Sequence, residues 1–409
     1  LRPRPLRVLI PMHSLSAPGF LRPGDPAPWF VAEASTNPRF HADTLGGRYV
    51  LLGFLGSAAS EPAMHALAVL KARRHLFDDV TAAVFVVSSD PQDRERLAVG
   101  NPGLRAFWDH DLAVARRYGA AVIRRSGSGD ALVYRPHWLL LDPQLRAMAT
   151  AGLDQTDAML DMVAGLPELS MHAGTEILAP VLILPRVFEP DFCRTLIGLY
   201  ESHGGGESGF MREVDGKTVP VFDQRHKRRS DHTLSDQTIR DAARMRIERR
   251  VLPEIRKAFQ FRVTRTERYI VACYDAAKGG HFRAHRDNTT KGTAHRRFAL
   301  SINLNAEEFA GGDLCFPEFG SRRYRPPTGG AVVFSCSLLH EATPVTAGRR
   351  YAFLPFLYDE AGARQREANN GFLGEGVGAY RAAVSAAEPA PSPSMVAPMT
   401  VAEADSSLL

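Results

Sequence analysis

The sequence predicts two domains, an α/β layered unit followed by a β-rich jelly roll with flanking helices, and three observations carry that prediction. The chain has 409 residues, more than one ordinary domain holds, and its 44% hydrophobic content is enough for two cores. Up to about residue 168, continuous apolar runs alternate with helix-spaced segments. After about residue 260 the pattern changes to short strand-like runs separated by Gly and Pro turns.

Residues 1–20 read as a tail. Their basic opening, LRPRPLRVLIPMHS, has an apolar core of Val8, Leu9 and Ile10 that Pro11 interrupts, too short for a signal peptide. No run of about 18 apolar residues is present to span a bilayer as a helix. Residues 21–168 form the first domain. RYVLLGFLG is a buried strand, and EPAMHALAVLKARRHLF is a helix with Pro62 near its start. TAAVFVVSS reads as a second buried strand, DPQDRERLAV as a short helix, and LRAFWDHDLAVARRYG as a helix closed by Gly119. PHWLLLDPQLRAMATAG then gives strand, Asp-Pro turn and strand. Buried strands alternating with helices call for a central sheet covered on both faces.

Residues 169–182 read as a linker and residues 183–365 as the second domain. FEPDFCRTLIGLYESHGGG is a helix with Phe192, Leu196, Ile197 and Tyr200 on one stripe, ended by glycines. The basic stretch RHKRRSD, residues 225–231, reads either as a solvated loop or as a rim that draws in an acidic substrate. A helix is expected over residues 236–259. Then come the strands: TERYIVACYD, RRFALSINLN with Ser301 and Asn303 on a polar face, GGDLCF, GGAVVFSCSLLH and RYAFLPFLY. Residues 366–409 read as a disordered tail, because AAEPAPSPSMVAPMTVAEADSS has no apolar periodicity.

Within HFRAHRDN, His285 and Asp287 are two residues apart, so on a strand both would project to one face and could share a ligand. His340 ends a second apolar strand and would complete a two-His, one-carboxylate set, an arrangement that leaves metal positions open for chemistry. The spacing alone is weak, since His41-Ala42-Asp43 repeats it with no obvious partners. Arg350 heads the last buried strand, where a guanidinium needs a carboxylate to pair with; Arg349 and Arg350 point to opposite faces, so only one of the two can reach a pocket. His281 and His295 are left as spectators. The four cysteines, Cys193, Cys273, Cys315 and Cys336, include no close-spaced pair and read as buried thiols of a cytoplasmic protein. A net charge of +5 with no single basic block gives no case for nucleic acid or membrane partners.

The segments ACYDAAKGGHFRAHRDN, SINLN, GGDLCFPEFG and LLHEATPVTAGRRYAF together resemble the 2-oxoglutarate and Fe(II)-dependent dioxygenases of the prolyl 4-hydroxylase type, over about residues 183–360. The resemblance implies a double-stranded β-helix that binds Fe(II) through His285, Asp287 and His340. It also implies 2-oxoglutarate paired to Arg350 and touching Tyr274, O2 as cosubstrate, and L-ascorbate as the reductant that rescues oxidised iron. The expected reaction hydroxylates a prolyl residue of a protein, a free amino acid or a small metabolite, with release of succinate and CO2. Residues 21–168 resemble the thioredoxin-like fold, specifically peroxiredoxins, yet the turn GSAASEP carries Ser57 and Ser60 and no cysteine. This domain is therefore expected to be a scaffold or docking module, for a protein partner or a second copy of the chain. The alternative for the whole chain is a non-catalytic binding or sensing protein in which both domains are degenerate.

Overall fold

Tyr49–Gly56 and Ala82–Ser88, the two most continuous apolar runs of the first half, lie side by side as parallel strands at the centre of a seven-stranded sheet. The computed structural model describes residues 19–100, 102–126 and 129–382, so the first 18 residues and residues 383–409, which the sequence assigns to tails, lie outside the described residues. Leu104–Trp108 continues the parallel set, and His137–Leu141 and Ala147–Gly152 close the other edge as an antiparallel hairpin. Alternate residues feed two cores. Leu51, Leu55, Val84 and Val86 pack under the helices Glu61–Ala72 and Thr156–Ala164, while Leu52, Phe54, Phe85 and Val87 face Val114, Ala115 and Leu45.

One expected helix is only half present. Leu104–Trp108 is a strand, and the helix is confined to Ala113–Arg117. Ala106 and Phe107 are fully buried between the two faces of the sheet, and the Asp109 carboxylate accepts from the Val114 and Ala115 N–H groups to start the helix after it.

The second domain is a jelly roll of two facing sheets. The larger one runs through Leu182–Leu184, Ala331–Ser335, Phe298–Asn303, Arg349–Phe353, Ile270–Asp275 and Ser230–Thr233. Helices Pro190–His203, Gln237–Arg250 and Leu252–Phe259 cover its outer side through Phe192, Leu196, Ile247 and Ile255. The expected single helix over 236–259 is two, broken at Val251 ahead of Pro253. The smaller sheet contains His281–His285, His340–Ala342 and Leu314–Cys315. The last residue of the expected linker, Leu182, opens a strand of the larger sheet, Leu182–Leu184, which pairs with residues 331–333. Order also extends past residue 365: a helix runs to Ala368, a 3-10 turn covers Asn369–Phe372, and Asn370 bonds the backbone of Tyr380. Among the described residues no helix is long and apolar enough to cross a membrane.

Candidate functional site

A cavity of about 1530 Å³ runs from between the two sheets out to the first domain, where Arg39, His41 and Asp43 line it. His285 ends one strand of the smaller sheet and His340 begins its antiparallel neighbour, and the two are direct partners in the register. Asp287 is not on the strand as the sequence suggests. The strand stops at His285, and the Asp287 N–H donates to the Cys336 carbonyl, 2.9 Å away, at the start of the following turn. The outcome for the side chain is the same. Asp287 Oδ1 is 3.5 Å from His285 Nε2 and Oδ2 is 3.4 Å from His340 Nε2.

One ligand atom from each of the three residues lies within 4.8 Å of the others. Donors about 2.1 Å from one ion and at right angles would be roughly 3 Å apart, close to the spacing seen. Each imidazole is already oriented. His285 Nδ1 is 2.8 Å from the Arg283 carbonyl and His340 Nδ1 is 3.0 Å from the Leu338 carbonyl, which puts the proton on Nδ1 and leaves Nε2 as the lone-pair donor. Burial pushes His285 down to about 4, so its imidazole is neutral near neutral pH. Burial would raise Asp287, but the neighbouring His340, His285 and Arg296 hold its carboxyl well below the usual range. Phe282 stacks on His285 with 3.5 Å between ring centroids, and Phe334 lies edge-on to His340. The set can accept a divalent ion through two nitrogens and a carboxylate.

Deeper between the sheets, Arg350 and Tyr274 are register partners on adjacent strands. Arg350 is 2% exposed, and its Nη2 donates to Ser301 Oγ at 3.0 Å. Its Nε and Nη1 are buried with no hydrogen-bond partner. A buried guanidinium with two unpaired donor atoms and, among the described residues, no ion-paired carboxylate can receive an anionic group. Arg349, on the opposite face, pairs with Asp275 and Glu201 in solvent. The Tyr274 hydroxyl accepts from Arg229 Nη1 at 3.4 Å, and Arg229 is ion-paired to Asp231 at 2.7 Å.

The basic stretch 225–231 is not simply a solvated loop, since part of it lines the cavity. Arg225 and Arg228 are exposed, but Lys227 and Arg229 are buried in the cavity wall, and Lys227 Nζ donates to Ser208 Oγ and the Gly209 carbonyl. Alternation along a short strand is the signal that could have found them. The hairpin Phe210–Val214 with Lys217–Val221, turned through Asp215 and Gly216 at positive φ, places Phe210 to Glu213 at the cavity mouth. His295 pairs with Glu267 at 2.6 Å, part of a buried cluster with Arg296 behind the ligands. In the first domain, Ser57 Oγ donates to Asp90 at 2.7 Å, and Arg96 and the Gln92 N–H also hold that carboxylate low, making it a poor base.

Residues 269–358 match the family model of the 2OG-Fe(II) oxygenase superfamily, a span that includes all five candidate residues. A PKHD-type hydroxylase of Pseudomonas fluorescens is 38% identical over 91 residues, 20% of this chain and 39% of that protein. The chain thus spans less than two fifths of that relative's length. Among solved structures, viral collagen prolyl hydroxylase of Paramecium bursaria Chlorella virus-1, in its 2OG complex, aligns with 15% identity and a TM-score of 0.32, over 44% of this chain and 95% of that one. Peroxiredoxin Q of Xanthomonas campestris aligns with 16% identity and a TM-score of 0.30, over 33% of this chain and 89% of that one.

Proposed function

We propose that the chain, whose residues 269–358 match the 2OG-Fe(II) oxygenase superfamily, is a hydroxylase in which His285, Asp287 and His340 hold Fe(II) and Arg350 pairs with the 5-carboxylate of 2-oxoglutarate. The observation that carries this reading is the conjunction of three converging ligand atoms with a buried guanidinium that has two donors to spare. Bound Fe(II) supplies the activation of O2, in which 2-oxoglutarate is oxidised to succinate and CO2 and the second oxygen atom enters a C–H bond of the substrate.

The protein's own contribution is orientation and exclusion of water. Nδ1 of both histidines stays protonated on backbone carbonyls, which fixes the direction of each Nε2. Arg350 and Ser301, together with Tyr274, define where a dicarboxylate ends, so the reacting end points at the ligands. Phe282 and Phe334 shield the ligand histidines from bulk solvent. The primary substrate is a prolyl residue of a protein, an amino acid or a small metabolite, and L-ascorbate is the expected reductant. Succinate release by the purified full chain with Fe(II), 2-oxoglutarate and ascorbate tests the reading. Release that His340→Ala abolishes supports it, and an equal rate in that variant overturns it.

A further inference from the structure

Arg286 sits between His285 and Asp287 and reaches across to the first domain, where it meets Asp43 at the wall of the cavity. Its side chain is 2% exposed. All five of its N–H groups are taken: Nε by Asp43 Oδ2 at 3.2 Å, Nη2 by the Asp43 carbonyl at 3.1 Å and Glu318 Oε1 at 2.8 Å, and Nη1 by Glu318 Oε2 at 3.1 Å and the Ser337 carbonyl. Trp29 of the first domain covers the guanidinium, 4.3 Å from its ring centroid. Glu318 Oε2 also accepts from the Leu339 N–H at 3.1 Å, next to His340. One buried charge cluster thus grips the residue between two candidate ligands and the residue before the third.

The first domain is shaped for this contact. A Cβ on Gly46 would lie 2.9 Å from Glu318 Cγ, and one on Gly47, at φ +87°, would lie 2.3 Å from Pro317 Cβ. Only glycines let this loop seat on the turn that presents Glu318. A second tie, Arg39 to Glu213 at 2.7 Å, joins the first domain to the hairpin at the cavity mouth.

We propose that Asp43 of the first domain is a positioning residue of the iron site, clamping Arg286 so that the chain between His285 and Asp287 keeps its ligand-forming geometry. The first domain, which has no cysteine, is then a structural part of the oxygenase centre. This rests on the reading of His285, Asp287 and His340 as the metal ligands. Without the Asp43 carboxylate, Arg286 Nε loses its acceptor and the first domain holds the guanidinium through the Asp43 carbonyl alone, with no opposite charge on that side, which lets the intervening backbone shift.

Titration of the full chain with Co(II) in place of Fe(II), followed by the ion's visible absorption, measures the site without turnover. Asp43→Ala is expected to weaken Co(II) binding about 10–100-fold and to alter the band shape, while Asp43→Asn, which keeps an oxygen acceptor of the same size, recovers part of the affinity. A folded Asp43→Ala protein, checked by thermal unfolding, that binds Co(II) with wild-type affinity and spectrum overturns the proposal. Should Asp43→Ala not fold, Asp43→Asn decides: weaker binding than wild type supports it and equal binding overturns it. His340→Ala separates the two levels, because undiminished Co(II) binding there would refute the ligand assignment itself, whatever Asp43 does.

Discussion

His285 and His340 face each other across two antiparallel strands, with ring centroids 4.3 Å apart, and each is oriented by a carbonyl of its own chain segment. The candidate metal site is therefore held by sheet register as well as by side-chain choice. Replacing either histidine with Ala should weaken divalent metal binding by more than the roughly 10–100-fold that an outer-shell change costs. Calorimetric titration with Mn(II) measures this, and a loss smaller than about tenfold would place the metal elsewhere.

Arg350→Ala should leave metal affinity nearly intact and weaken 2-oxoglutarate by about 2–5 kcal/mol, at least roughly thirtyfold, because the buried carboxylate loses its charged partner. Arg349→Ala, which removes only solvent-facing pairs with Asp275 and Glu201, should have a far smaller effect. The Kd of 2-oxoglutarate in the two variants is the check, and the reverse ranking would contradict the assignment.

Acid should destabilise the first domain through His137. Burial pushes this imidazole down to about 4, where it stacks on Phe54 with Nδ1 3.0 Å from the Arg135 carbonyl. The unfolded chain, with an ordinary value near about 6.5, then binds the proton more tightly than the folded one. The contribution is fully present above about pH 6.5 and is lost as pH falls toward about 4, to a limit of about 3 kcal/mol. His137→Phe should flatten the fall in unfolding midpoint across that window. An unchanged slope would assign the acid sensitivity to other groups.

Hydrogen peroxide turnover with a dithiol reductant should be no higher for the wild-type chain than for Cys193→Ser. The sequence has no cysteine before Cys193. That thiol is fully buried and pushed up to about 11, mainly by burial, so little thiolate forms near neutral pH. A rate that survives Cys193→Ser but disappears with Ser57→Ala would reveal a nucleophile outside thiol chemistry.

Much of the site was legible because its residues obey short-range rules. The two-residue step from His285 to Asp287 keeps both side chains on one side, even though the strand itself ends at His285. Alternation along the strand sends Arg349 and Arg350 to opposite faces, and the resemblance, in which the basic residue directly precedes an aromatic such as Tyr351, singles out Arg350 as the inward one. What stayed hidden depends on long-range pairing. Asp43, in a His-x-Asp that repeats the ligand spacing, finds its partner Arg286 243 residues away, and no local pattern announces that contact. Leu104–Trp108 looked helical because a strand buried on both faces shows no alternation and sits directly ahead of a true helix. The buried faces of Lys227 and Arg229 were masked by a charge run that resembles a solvated loop.

The most direct test of the central claim is anaerobic addition of 2-oxoglutarate to the Fe(II)-loaded full chain while visible absorption is recorded. Fe(II) held by His285, Asp287 and His340 and bound to the 2-oxo acid end of 2-oxoglutarate would show a charge-transfer band that neither component shows alone. The account predicts that band in the wild-type protein, its absence in His340→Ala, and a much higher 2-oxoglutarate concentration to develop it in Arg350→Ala. A folded wild-type protein that shows no band at saturating Fe(II) and 2-oxoglutarate would contradict the account.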